Sequence, residues 1–191
     1  MKNCTLFQTL EDRDNPEYIE SNGPFDCNWP NTWLGSGYYF WDTFVKNAHW
    51  WGSVRYNVRD KNYVICQAEC SFDEDTCFDL AGNTKHLMFF SEVVDFMEEK
   101  GLLDRKKHTV SRVINYLRDN IDFKYEAIRV YGVNSISQRQ QDYLSQMKFE
   151  KNKSQYLDFN PPFQFCIFKK TGLKLKNYKI IFPDHYIDVV I

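Results

Sequence analysis

The alternation of apolar and polar positions divides this chain into short strands and two longer helical stretches. Residues 4–9 read as a short strand. Residues 63–70 set Val64, Cys66, Ala68 and Cys70 on one face and Tyr63, Ile65, Gln67 and Glu69 on the other. Residues 163–168 form a strongly β-prone hexamer in which Gln164 is the only polar side chain, so that amide needs a partner or a ligand. Apolar residues three and four apart (Leu87, Phe90, Val93, Val94, Met97) predict a helix from Thr84 that ends at Gly101. A second set (Val110, Val113, Ile114, Leu117) predicts another from about Thr109 to Ile121. Residues 125–131 read as a strand stopped by Gly132, and residues 179–182 and 187–191 as closing strands around a turn at Pro183-Asp184. Strands mixed with two helices make the class α+β.

Between these elements the chain is polar and turn-rich. Residues 15–32 carry Pro16, Gly23, Pro24 and Pro30 and read as a long loop, anchored by Trp29 and Trp33 and placed to act as a lid. Residues 55–62 are basic, residues 73–79 acidic, and the glutamine-rich stretch around Tyr143 reads as an exposed helix or loop. The stretch from Gly35 to Trp51 is the most distinctive. Two glycines one residue apart precede a short aromatic strand, and helix-compatible residues follow from about Thr43 to Val54. Tyr38, Tyr39, Phe40, Trp50 and Trp51 supply flat apolar walls that serve a core or a planar ligand equally.

A chain of 191 residues and 22.9 kDa suits one domain over 1–191 with a substantial core. Its net charge of −2 gives no global field for holding nucleic acid, and the basic strips near Arg105 and Lys169 read as solvated surface. No 18-residue apolar run occurs and Met1-Lys2-Asn3-Cys4 opens no apolar leader, so a cytoplasmic chain without membrane contact is expected. The six cysteines read as packed thiols; Cys66, Cys70 and Cys77 with His86 match no paired zinc knuckle, and no metal is expected.

The order Gly-x-Gly-x-Tyr-Phe-x-Asp, with Gly35, Gly37, Tyr39, Phe40 and Asp42, followed by Lys46, Ala48 and an aromatic at Trp50, resembles the nicotinamide pocket of the poly(ADP-ribose) polymerase branch of the ADP-ribosyltransferases. The resemblance covers about a third of the residues. It implies a split mixed or antiparallel sheet with flanking helices, the helical segment at about 84–122 being scaffold or a target-recognising insertion. It also implies NAD as substrate. Where the family has an aromatic-His-Gly run on its first strand, this chain has Phe7-Gln8-Thr9, leaving Gln8 to bond a ribose hydroxyl or to be a plain strand-end glutamine. Where the family presents a glutamate to the ribose, this chain has Gln164, and where it tends to have a carboxamide-binding serine, it has Asn47.

The resemblance therefore implies Gln164 and Tyr39 as the catalytic pair, and Gln8, Thr9, Gly37, Tyr39, Phe40, Asn47 and Trp50 as NAD-binding residues, with Tyr39 and Trp50 stacking on the nicotinamide. An amide cannot take up a proton as a carboxylate does, which points to single transfers rather than polymer growth. The expected activity is mono-ADP-ribosyl transfer to a macromolecular acceptor, protein or nucleic acid, with an inhibitor partner if the chain is toxin-like. The alternative is a catalytically silent domain of the same fold that binds NAD, another nucleotide or a partner. Residues serving only as core are a third reading of the aromatic segment.

Overall fold

The computed structural model describes residues 1–132 and 146–187. The described residues include nine strands, β1 (Lys2–Glu11), β2 (Tyr38–Asp42), β3 (Tyr63–Phe72), β4 (Cys77–Asp79), β5 (Ala127–Tyr131), β6 (Gln146–Lys148), β7 (Tyr156–Asp158), β8 (Phe163–Ile167) and β9 (Lys176–Phe182). The helices are α1 (Pro16–Asn22), α2 (Val45–Arg55), α3 (Thr84–Glu99) and α4 (Val110–Asn120). Seven strands form one mixed sheet in the order β4-β5-β8-β2-β1-β3-β9, parallel only between β4 and β5, while β6 and β7 pair as a separate ribbon. The fold is α+β.

Each half of the large sheet is paired more extensively than its middle. β1 pairs with β3 along its whole length, from Lys2↔Phe72 to Glu11↔Tyr63, and β2 pairs with β8 from Tyr38↔Ile167 to Trp41↔Gln164. β1 and β2 meet only at Leu6↔Asp42 and Phe7↔Trp41. Beyond Phe7 the two halves part, and the sheet opens at its centre.

Registered partners share a face, which sorts the core into layers. Phe7, Trp41, Tyr39, Gln164, Cys166 and Ile128 point one way. On that side α2 covers Phe7, Trp41, Tyr63 and Ile65, and α3 with α4 covers Phe78, Ile128 and Cys166. Leu6, Phe40, Phe165, Ala68 and Ile167 point the other way and are closed by Leu173 and Leu175, on the chain between β8 and β9, and by Tyr178 of β9. Asn83 caps α3 by accepting from the amides of Lys85 and His86, and Gly101 at φ +68° follows its end.

Three expectations need correction. Residues 16–22 are helical, not loop: Pro16 supplies the preset φ of a first helical turn, but the helix is short and buries only Ile19, so it leaves no periodic signal. Residues 77–79 of the acidic segment form a strand, buried and paired beside β5, where three residues are too few to show alternation. Trp29 and Trp33 do not anchor their loop, being 45% and 53% exposed. The glutamine-rich stretch up to residue 145 and all of the closing strand except Ile187 lie outside the described residues. Among the described residues no helix is long and apolar enough to cross a membrane.

Candidate functional site

Where β1 and β2 part, a cavity of about 810 Å³ opens, lined by residues from both faces of the sheet. Its floor takes in Thr9, Tyr39, Trp41 and Gln164. One wall is the end of α2, with Trp51, Arg55 and Tyr56, and the other is the loop from Phe25 to Trp33. Volume and aromatic lining are those of a site for a drug-sized or nucleotide-sized molecule.

Gln8 holds the split in shape. Its Nε2 donates to the Phe25 carbonyl at 2.8 Å and to the Tyr39 carbonyl at 3.4 Å, while its Oε1 accepts from the Phe25 amide at 3.0 Å and the Tyr178 hydroxyl at 2.8 Å. Past Phe7 no backbone of β2 faces it in register, so the side-chain amide takes over the work of a strand partner. It lines the cavity with both ends of its amide already engaged.

Tyr39 fixes the turn that leads into β2. Its hydroxyl accepts from the Leu34 amide at 2.8 Å and donates to the Gly35 carbonyl at 2.7 Å, and burial pushes the phenol well above its ordinary range, so it stays neutral. Gly35 takes φ +82°, which favours glycine. Gly37 is required by close approach: a Cβ there would meet the Cys166 Sγ at 2.6 Å and the Ile167 carbonyl oxygen at 2.7 Å. The motif glycines therefore have structural work in seating the loop against β8.

Gln164 is in the opposite condition from Gln8. Set between Trp41 and Val130, it lines the cavity, and its Oε1 is buried with no hydrogen-bond partner. An unmet buried acceptor costs about 1–3 kcal/mol, a deficit that a ligand hydroxyl or N–H would remove. Asn15, which also lines the cavity, has a buried and unpartnered Oδ1 as well.

The remaining expected residues divide. Thr9 lines the cavity while its hydroxyl donates to the Ala48 carbonyl of α2 at 3.0 Å. Phe40 also borders it, but its side chain is 1% exposed and sits in the core of the opposite face. Asn47 is fully buried: its Nδ2 donates to the Pro161 carbonyl at 3.1 Å and its Oδ1 accepts from Asn160 at 3.3 Å, tying α2 to the approach to β8. Trp50 packs edge-on against Trp41 at 6.1 Å, and Trp51 is the α2 indole that borders the cavity.

Residues the motif did not point to supply the charge. Arg13, Arg55, Arg59 and Lys61 border the cavity against the carboxylates of Glu11 and Asp26. Lys61 bonds Glu11 at 2.9 Å and holds its carboxyl below the usual range, with Arg13 at 3.8 Å adding to the effect. The Arg55 guanidinium stacks 4.1 Å from the centre of the Trp29 ring, and Arg59 donates to the Arg55 carbonyl. The basic patch at 55–62 was the available sequence signal for Arg55, Arg59 and Lys61; what it lacked was the fold that turns them toward the cavity.

No protein-family model matches the chain, and no solved structure matches it. Over 186 residues, 89% of this chain and 84% of the relative, it is 25% identical to uncharacterized protein MJ0359 of Methanocaldococcus jannaschii.

Proposed function

We propose that this chain is an NAD-dependent mono-ADP-ribosyltransferase whose core is a split sheet of the ADP-ribosyltransferase type. The observation that carries the reading is convergence: Thr9, Tyr39 and Gln164, from three strands and far apart in sequence, border one cavity at the split, and the Gln164 oxygen there lacks a partner. Breaking the bond between nicotinamide and ribose builds positive charge on the anomeric carbon, so the site must clamp the ring and orient the sugar. Tyr39 and Trp51 offer the flat walls, and the Gln164 Oε1 is free to accept from a ribose hydroxyl. With an amide in place of a carboxylate, the site lacks a proton acceptor for activating a hydroxyl, which suits single transfer to a nucleophile that needs little activation.

The engaged amide of Gln8 favours a second reading, a domain that binds NAD, another nucleotide or a partner without turnover. Incubation with adenine-labelled NAD and cell extract separates the two. Transfer predicts nicotinamide release and label on a macromolecular fraction, both lost in Gln164→Ala. Saturable NAD binding with neither release nor label selects the silent NAD binder, and absence of NAD binding removes the transferase and leaves only a domain that binds another nucleotide or a partner.

A further inference from the structure

The polar chemistry of the cavity differs between depth and rim. Tyr39, Trp41 and Gln164 lie on the sheet, with Trp41 4% exposed, whereas Trp29 and Trp33 are about half exposed and the side chains of Arg13 and Lys61 are 71% and 49% exposed. A small ligand is gripped mostly by buried walls. Exposed indoles interleaved with cations are instead the surface on which successive bases stack while phosphates are neutralised. Four cations face two carboxylates around this opening, on a chain whose net charge is −2. Among the described residues neither Arg55 nor Arg59 forms an ion pair with a carboxylate within 4 Å, and the Arg55 guanidinium sits over the Trp29 ring, giving one ring face and one cation as a unit.

We propose that this rim binds single-stranded nucleic acid, with a base stacked at Trp29 and backbone phosphates on Arg55 and Arg59. A single strand is favoured because pairing in a duplex hides the ring faces that tryptophan reads. For its chemistry the inference rests on the transferase reading, for which it names the acceptor. The glycosidic C–N bond of NAD breaks with its electron pair leaving on neutral nicotinamide, a nucleobase nitrogen lone pair forms the new bond to the anomeric carbon, and the proton that nitrogen carried goes to solvent. A ring nitrogen needs less activation than a hydroxyl, which matches an amide at position 164.

Fluorescence anisotropy with a labelled strand of about 12 nucleotides and with its duplex tests the binding across a salt series. The single strand should bind at least about tenfold tighter than the duplex, and Trp29→Ala should weaken it about tenfold. Arg55→Ala/Arg59→Ala should lower the slope of log affinity against log salt by about 1.4, the share of two phosphate contacts. Arg59→Ala alone, at an exposed position, should lower it by about half as much and guards against misfolding of the double variant. Absence of saturable strand binding overturns the inference, as does equal binding of duplex. So do variants that weaken ADP-ribose binding while sparing the strand, or label that goes from NAD only to protein. Strand binding without nicotinamide release would remove the transferase reading alone; nicotinamide release without strand binding would remove this inference alone.

Discussion

Gln8 and Gln164 carry the same amide into opposite circumstances, so the same substitution should move stability in opposite directions. Gln8→Met deletes three well-formed hydrogen bonds and one long one, and leaves the Phe25 amide and carbonyl and the Tyr178 hydroxyl short of a partner. At about 1 kcal/mol net for each good bond, the loss is about 3 kcal/mol, which in a domain of this size lowers the melting temperature by roughly 6–12 °C. Gln164→Met keeps an unbranched side chain of similar length, makes no protein bond worse, and removes an unpartnered buried oxygen. It should gain about 1–2 kcal/mol, or roughly 2–8 °C. Thermal and urea unfolding followed by circular dichroism measure both, and adding NAD should stabilise the parent protein but not Gln164→Met. A loss of more than about 1 kcal/mol in Gln164→Met would refute the reasoning, because it would mean that the oxygen has a partner in the empty protein.

Three further outcomes follow from the same packing. Trp51→Ala should weaken NAD binding with little effect on folding, whereas Trp50→Ala, which removes the ring packed on Trp41, should lower stability by about 2–3 kcal/mol; calorimetric titration and unfolding curves report the two effects separately. Arg129 bridges Asp42 at 2.8 Å and Asp79 at 3.2 Å, so Arg129→Met leaves two buried carboxylates uncompensated and should cost about 3–5 kcal/mol, measured by urea unfolding near pH 7. Burial pushes the imidazoles of His49 and His86 below their ordinary 6.5, so the unfolded chain binds more protons as pH falls through that value. Stability should therefore drop from pH 7 toward the depressed folded-state values, and His49→Gln/His86→Gln should flatten that part of the profile.

The strands and helices with clear periods were legible. The alternation of residues 63–70 lies within β3, and the spacing of Val93 and Met97 and of Val113, Ile114 and Leu117 gives the buried faces of α3 and α4. α2 was legible as a helix but not in its phase, because it buries Asn47 and Gly52 beside Ala48 and so carries no amphipathic stripe. That is why Trp50 was expected where Trp51 stands, two side chains about 100° apart around the helix. The line of residues toward the cavity was partly legible through Tyr39 and Gln164. The engagement of Gln8 was not, because its partners Phe25 and Tyr178 come from a loop and from a strand 170 positions away. The cationic rim was visible only as composition, since Arg13 and Arg55 become neighbours of one opening through the pairing of β1 with β3 and the packing of α2.

The most direct measurement is a crystal structure of the protein with a non-hydrolysable NAD analogue. The account predicts the nicotinamide ring in the cavity within about 4 Å of the Tyr39 ring, with a ribose hydroxyl donating to the Gln164 Oε1 at about 2.8 Å. An analogue bound elsewhere, or bound in the cavity with that oxygen still unpartnered, would contradict it.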